Sequence, residues 1–146
     1  MHSLPFSEYA ADLETILSRT TPLLPSRELS TFVRHYLQER DRYLKILHEN
    51  PGPLYLMESA VLKDRAGQFA GAFRRMLPDV SFYYAVKSNN HPDVAGTLLQ
   101  SGFGLDVSSG LELEMALRLG AEDIVFSGPG KTTEELSLAA LHTDRV

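Results

Sequence analysis

The chain has 146 residues, of which 43% are hydrophobic, 23% charged and 9% aromatic, the composition of a soluble globular protein of about one domain's length. Its 14 basic and 19 acidic residues leave a net charge of −5, so there is no basic stripe to neutralise phosphates, and no nucleic-acid partner is expected. Cysteine is absent, which excludes disulfides, thiolate nucleophiles and cysteine-based zinc sites.

The N-terminal stretch MHSLPFSEYAADLETILSRT is acidic and lacks a continuous apolar run. It does not read as a secretory signal, and no segment approaches the ~18 apolar residues of a membrane span, so the expectation is a soluble, cytoplasmic protein without a membrane partner. From Ser101 onward, three basic residues (Arg118, Lys131, Arg145) face eight acidic ones, which reads as solvated helix faces.

In chain order, a short helix is expected over Glu8 to Leu17, followed by breaks at Thr21-Pro22 and Leu24-Pro25. Leu29, Phe32, Val33, Tyr36, Leu37, Tyr43, Leu44 and Leu47 recur at three- and four-residue spacing, predicting one long helix that Pro51-Gly52-Pro53 ends. Leu54 to Met57 reads as a short strand. Ser59 then caps a helix whose stripe is Leu62, Ala66, Phe69, Phe73 and Met76, halted by Pro78. Val80 to Val86 is a strand, and Pro92 opens a helix that runs to Gln100 and stops at Gly102. Leu105 to Val107 is the next strand. Ser109 and Glu112 form a capping-box match for the helix ending at Gly120. Ile124 to Phe126 is a further strand, and Thr132 with Glu135 is a second capping box for a last helix through Leu141.

Strands alternating with helices across short loops predict a parallel sheet in an α/β fold. Strands beginning near Ser81, Gly104 and Asp123 suit the first three of a (β/α)8 TIM barrel, a fold of about 250 residues, so the chain reads as part of a larger protein. The expected division is a helical N-terminal extension over residues 1–52 and the N-terminal part of a barrel over 53–146. No closing element is expected over His142 to Val146.

Three places could carry chemistry. Lys87 closes an apolar strand on which Tyr83, Ala85 and Lys87 alternate onto one face, at the carboxyl end where barrel active sites lie. Partial desolvation there would prepare its amine for Schiff-base chemistry; the alternative is a strand-end lysine pointing to solvent. Asp106, at the end of the next strand, could hold that amine protonated by charge pairing, or could be a turn aspartate. Glu112 is read as the reciprocal capping-box residue rather than a catalytic one. Ser127-Gly128-Pro129-Gly130-Lys131-Thr132 invites a phosphate-loop reading, but that motif needs a glycine where Val125 stands, which favours a tight strand-to-helix turn. The five histidines (His2, His35, His48, His91, His142) show no paired metal spacing, and His91 is read as a helix cap.

Pro53-Leu54-Tyr55-Leu56, Phe82-Tyr83-Tyr84-Ala85-Val86-Lys87-Ser88-Asn89 and Gly104-Leu105-Asp106-Val107-Ser108-Ser109-Gly110-Leu111-Glu112-Leu113 follow one another at characteristic separations. Together they resemble the N-terminal part of the pyridoxal-phosphate-dependent decarboxylases of the alanine-racemase-like barrel class, which includes diaminopimelate and ornithine decarboxylases. The resemblance runs from about Pro53 to Leu141. It implies that Lys87 forms the internal aldimine with pyridoxal 5'-phosphate, that Ala85 lines the same wall and that Asp106 sits near the lysine. It further implies that Leu54 to Met57 belongs to a separate β-domain and that the whole protein is a homodimer decarboxylating a small diaminopimelate-, ornithine- or lysine-like amino acid. This stretch alone would be inactive. A non-catalytic, cofactor- or partner-binding regulatory relative is the alternative, and a phosphate-loop nucleotide-binding domain is a more distant one.

Overall fold

The computed structural model describes residues 25–146, together with Ala10, Ala11, Glu14, Thr15 and Ser18, which are helical. The remaining residues of the helix expected over Glu8 to Leu17, the breaks through Leu24, and His2 lie outside the described residues. The chain divides into two compact units, Met1–Tyr55 and Leu56–Val146.

In the first unit the single long helix expected from Leu29 to Leu47 is two helices, α1 (Ser26–Gln38) and α2 (Arg40–Glu49). Glu39, at φ −88° and ψ 6°, leaves the helical region between them. Its N–H still donates to the His35 carbonyl, and its own carbonyl accepts from Arg42 and Tyr43, so one residue ends α1 and starts α2. The apolar stripe crosses this break, with the Tyr36 and Tyr43 rings 5.9 Å apart, which is why periodicity alone does not register it. No described residue of either helix is buried.

Leu54 to Met57 forms no strand. A strand requires a neighbour to take its backbone groups, none of the described residues pairs with these four, and Tyr55 is fully exposed. The following helix, α3 (Ser59–Arg74), begins with Glu58 in the capping position, making Ser59 its first helical residue; neither side chain caps it. Its Ala66 and Ala70 are buried, and Phe69 and Phe73 stack towards Phe82, with Phe103 closing the aromatic group. Met76 lies past the helix end and is 83% exposed, so it does not continue that stripe.

Three parallel strands follow: β1 (Tyr83–Ala85), β2 (Gly104–Val107) and β3 (Ile124–Phe126), ordered β1-β2-β3. Between and after them lie α4 (Pro92–Leu99), α5 (Gly110–Arg118) and α6 (Thr133–Ala140). As expected, His91 caps α4, its Nδ1 accepting the Asp93 N–H at 3.3 Å. Both α4 and α5 end in a Schellman turn. Gly102 and Gly120 sit at φ +82° and +76°, a conformation that favours glycine, while Phe103 donates back to Leu98 and Ala121 to Ala116.

β1 is shorter than the strand expected over Val80 to Val86. Its partner β2 begins opposite Tyr83, and beyond Ala85 the chain tightens into a 3-10 turn, Val86–Ser88. That turn is closed by the Asn89 N–H on the Val86 carbonyl at 3.1 Å and by the Ser88 hydroxyl on the Ala85 carbonyl at 2.7 Å.

The pairing register separates the two faces of the sheet. Tyr84, Leu105, Val107 and Ile124 fall on one face, where Leu105, Val107 and Ile124 are buried, with Val86 of the turn after β1, Ala95 of α4 and Leu113 and Ala116 of α5 in the same core. Each fully buried leucine or valine stabilises the fold by about 1.5–3 kcal/mol. The opposite face carries Tyr83, Ala85, Asp106 and Val125 and is not covered in this way, Tyr83 and Val125 being exposed. The C-terminal residues, expected to lack a closing element, turn back onto the sheet: the Arg145 carbonyl accepts the Ile124 N–H at 2.7 Å, and Val146 packs against the core. No described helix is long and apolar enough to cross a membrane.

Candidate active site

The carboxyl ends of the three strands bring the candidate residues together. Ala85, the last residue of β1, is the register partner of Asp106 on β2, and Asp106 is in turn the partner of Val125 on β3. Residues paired in a parallel ladder project to the same side, so Ala85 and Asp106 share the open face. Lys87 follows two residues after Ala85.

The 3-10 turn changes the placement expected for Lys87. Alternation along a strand would align it with Tyr83 and Ala85, but the strand has ended before it, and Lys87 is carried on the turn. It is exposed rather than partly desolvated, and makes no hydrogen bond or ion pair among the described residues. No salt bridge joins it to Asp106.

The Asp106 carboxylate instead accepts the Ser127 hydroxyl at Oδ1. Ser127 follows β3 directly and extends the ladder by one bond, its N–H donating to the Val107 carbonyl at 2.9 Å. Lys131 bends back over the same turn. Its Nζ donates to the Ser127 carbonyl and, at 3.1 Å, to the Gly128 carbonyl, and it lies 4.3 Å from the centroid of the Phe126 ring. An amine spent on its own loop is not presented to a nucleotide phosphate, and the phosphate-loop reading loses its lysine.

The loops at this rim are held by carboxylates at two helix starts. Thr132 and Glu135 form the expected capping box on α6. Glu135 does more, accepting the Thr132 N–H at 2.9 Å with Oε2 and the Gly110 N–H at 2.6 Å with Oε1. These bonds, first that from Thr132 and then that from Gly110, hold its carboxyl below the ordinary glutamate range. Ser109 caps α5 as expected, accepting the Glu112 N–H at 3.3 Å. The reciprocal bond is displaced: Glu112 Oε2 accepts from the Ser108 N–H at 2.7 Å, because the chain leaving β2 presents that group to it.

At the other end of the open face Tyr83 reaches across β2 to Asp123, its ring lying over Gly104. Neither this bridge nor the Ser127–Asp106 bond is visible in the sequence, since their partners stand 40 and 21 residues apart and neither pair forms a motif.

The family described as pyridoxal-dependent decarboxylase, pyridoxal binding domain, matches residues 65–145. Among curated proteins, the diaminopimelate decarboxylase of Aquifex aeolicus is 40% identical over 87 residues, 58% of this chain and 20% of that protein. The L-glutamyl-[BtrI acyl-carrier protein] decarboxylase of Niallia circulans is 37% identical over 89 residues, 60% of this chain and 20% of that protein. The amino acid decarboxylase lolD1 of Epichloe uncinata is 33% identical over 119 residues, 75% of this chain and 27% of that protein. The chain thus spans between a fifth and just over a quarter of the length of these relatives. No solved structure matches it significantly.

Proposed function

Because the chain belongs to the pyridoxal-dependent decarboxylase family, we propose that it supplies the cofactor-holding lysine, Lys87, of an enzyme that decarboxylates a small amino acid. The cofactor is pyridoxal phosphate, the group for which the matched domain is named. The observation that carries the reading is the Lys87 amine, exposed and unpartnered among the described residues, just beyond the Ala85–Asp106 register pair.

That donor set fits the group. An aldehyde requires a primary amine not already committed to a carboxylate, and Lys87 is one. Ala85 adds a small side chain, and Asp106 a carboxylate on the same face of the sheet one strand over. When bound, the cofactor supplies an electron sink for the carbanion left by a departing carboxylate. Lys87 would hold the cofactor through Nζ, and the same nitrogen, when not so engaged, could carry a proton at this end of the sheet. Asp106 steadies the charge at that end of the sheet.

In this reading the three parallel strands are the first of a (β/α)8 barrel, with the open face becoming its interior. Residues 53–146 are the barrel part and 1–52 a helical extension. The whole protein is a cytoplasmic homodimer, and its substrate is a diaminopimelate-, ornithine- or lysine-like amino acid. The chain alone is inactive, since a barrel enzyme draws its catalytic groups from the ends of several strands beyond these three.

The test is a reductive trap. The protein is mixed with pyridoxal phosphate, reduced with borohydride and digested, and the labelled peptide is identified by mass. Label on Lys87 that disappears in Lys87→Ala is expected. Label confined to other lysines overturns the assignment.

A further inference from the structure

We propose that Ser127 is a positioning residue for Asp106, fixing one carboxylate oxygen so that the other is presented at the cofactor end of the sheet. The inference rests on the reading that Lys87 holds pyridoxal phosphate nearby.

Three hydrogen bonds and one ring contact hold the turn that carries the donor. The Ser127 backbone is fixed from one side by its N–H on the Val107 carbonyl at 2.9 Å. From the other side, the Lys131 ammonium clasps the Ser127 and Gly128 carbonyls and rests on the Phe126 ring. Gly128, at φ +102°, supplies the backbone conformation that lets the turn close. The Ser127 hydroxyl therefore meets Asp106 Oδ1 from a pinned backbone. Asp106 Oδ2 has no hydrogen bond among the described residues. A carboxylate with one oxygen tied and one free is held in a single rotamer at little further entropic cost, whereas an untethered aspartate would share its charge among several.

Of the charged groups at this rim, Glu112 and Glu135 are taken up by backbone N–H groups at the starts of α5 and α6, while Lys87 follows β1 and Lys131 follows β3. Lys131 is committed to its own turn, which leaves Lys87 as the cation that the free oxygen can serve. The segment from Ser127 to Lys131 thus has a use without any phosphate: it is the brace behind the aspartate.

The test compares Ser127→Thr with Ser127→Val in the full chain, because these two side chains have nearly the same shape and differ in the hydroxyl. Each is loaded with pyridoxal phosphate, and the absorption of the bound cofactor is followed against pH, with borohydride labelling of Lys87 read in parallel. The threonine variant is expected to keep the wild-type midpoint. The valine variant is expected to shift it down by about 0.5 pH or more, as the positive charge at Lys87 loses an oriented partner. In an Asp106→Asn background the two variants should coincide. Identical midpoints for threonine and valine, or a difference that survives in Asp106→Asn, overturn the role of Ser127 while the Lys87 label stands. Absence of label on wild-type Lys87 overturns the underlying reading instead, and with it this inference.

Discussion

The Tyr83 hydroxyl lies 2.7 and 2.8 Å from the two carboxylate oxygens of Asp123, spanning β2 from the start of β1 to the residue before β3. The phenol must be neutral to donate. Its hydrogen bond to Asp123, with smaller contributions from desolvation and from the carboxylate's charge, raises its pKa above the ordinary tyrosine value.

This bond makes stability depend on alkaline pH. A raised folded-state pKa means that the unfolded chain loses the phenolic proton first, so the contribution is complete below about pH 10 and is lost as pH rises from there through the folded value. Tyr83→Phe should cost about 0.5–1 kcal/mol at pH 7, a modest figure because the side chain is 38% exposed. It should also flatten the decline above pH 10. Urea melts of both proteins between pH 7 and 11 measure the two effects, and parallel pH profiles would sink the assignment.

Gly104 permits that crossing. A Cβ there would stand 2.6 Å from two Tyr83 ring carbons and 2.8 Å from the Asp123 carbonyl oxygen. Gly104→Ala should therefore destabilise by about 1–3 kcal/mol, in the range of overpacked sites. Adding Tyr83→Ala should relieve only part of the loss, because the carbonyl belongs to the backbone and cannot swing away. Complete rescue in a thermal melt of the double variant would show that the ring alone sets the constraint.

Glu135 ties the first turn of α6 to the first residue of α5 through one carboxylate. With its folded pKa lowered, its contribution is present above the ordinary value of 4.5 and is lost as pH falls through the folded value. Glu135→Ala should lower the melting temperature at pH 7 and have progressively less effect as the pH is taken from 5 towards 2. A deficit that stays constant across that acid range would contradict the clamp.

Leu105 and Leu113 are fully buried, one on β2 and one on α5, and both belong to the same core. Truncating either to alanine should cost about 2–5 kcal/mol, since close packing leaves little room to collapse the cavity. The double variant should depart from additivity, because neighbours within one core couple. Chemical denaturation of the four proteins completes the cycle.

Much of the second unit was legible because local chemistry specifies it. Pro92, His91, Ser109, Thr132, Gly102 and Gly120 act within a turn of where they stand, so α4, α5 and α6 and their ends follow from composition and spacing. The order of the Lys87 and Asp106 segments was likewise enough to indicate the family, because those motifs are contiguous. Misreadings fell where an element depends on something distant or on one residue. Leu54 to Met57 looks like a strand by composition but finds no partner among the described residues. Glu39 breaks a helix without proline or glycine to announce it.

The sequence by itself determined the alternation of strands and helices, the caps and the presence of a lysine and an aspartate in recognisable blocks, since each is encoded within about ten residues. Only the tertiary structure decided that Asp106 is held by Ser127 and that Tyr83 meets Asp123. Those arrangements depend on strand register. Register is set by how the buried faces of β1, β2 and β3 pack with α4 and α5, and that packing sums contacts too far apart in the chain to leave a local pattern.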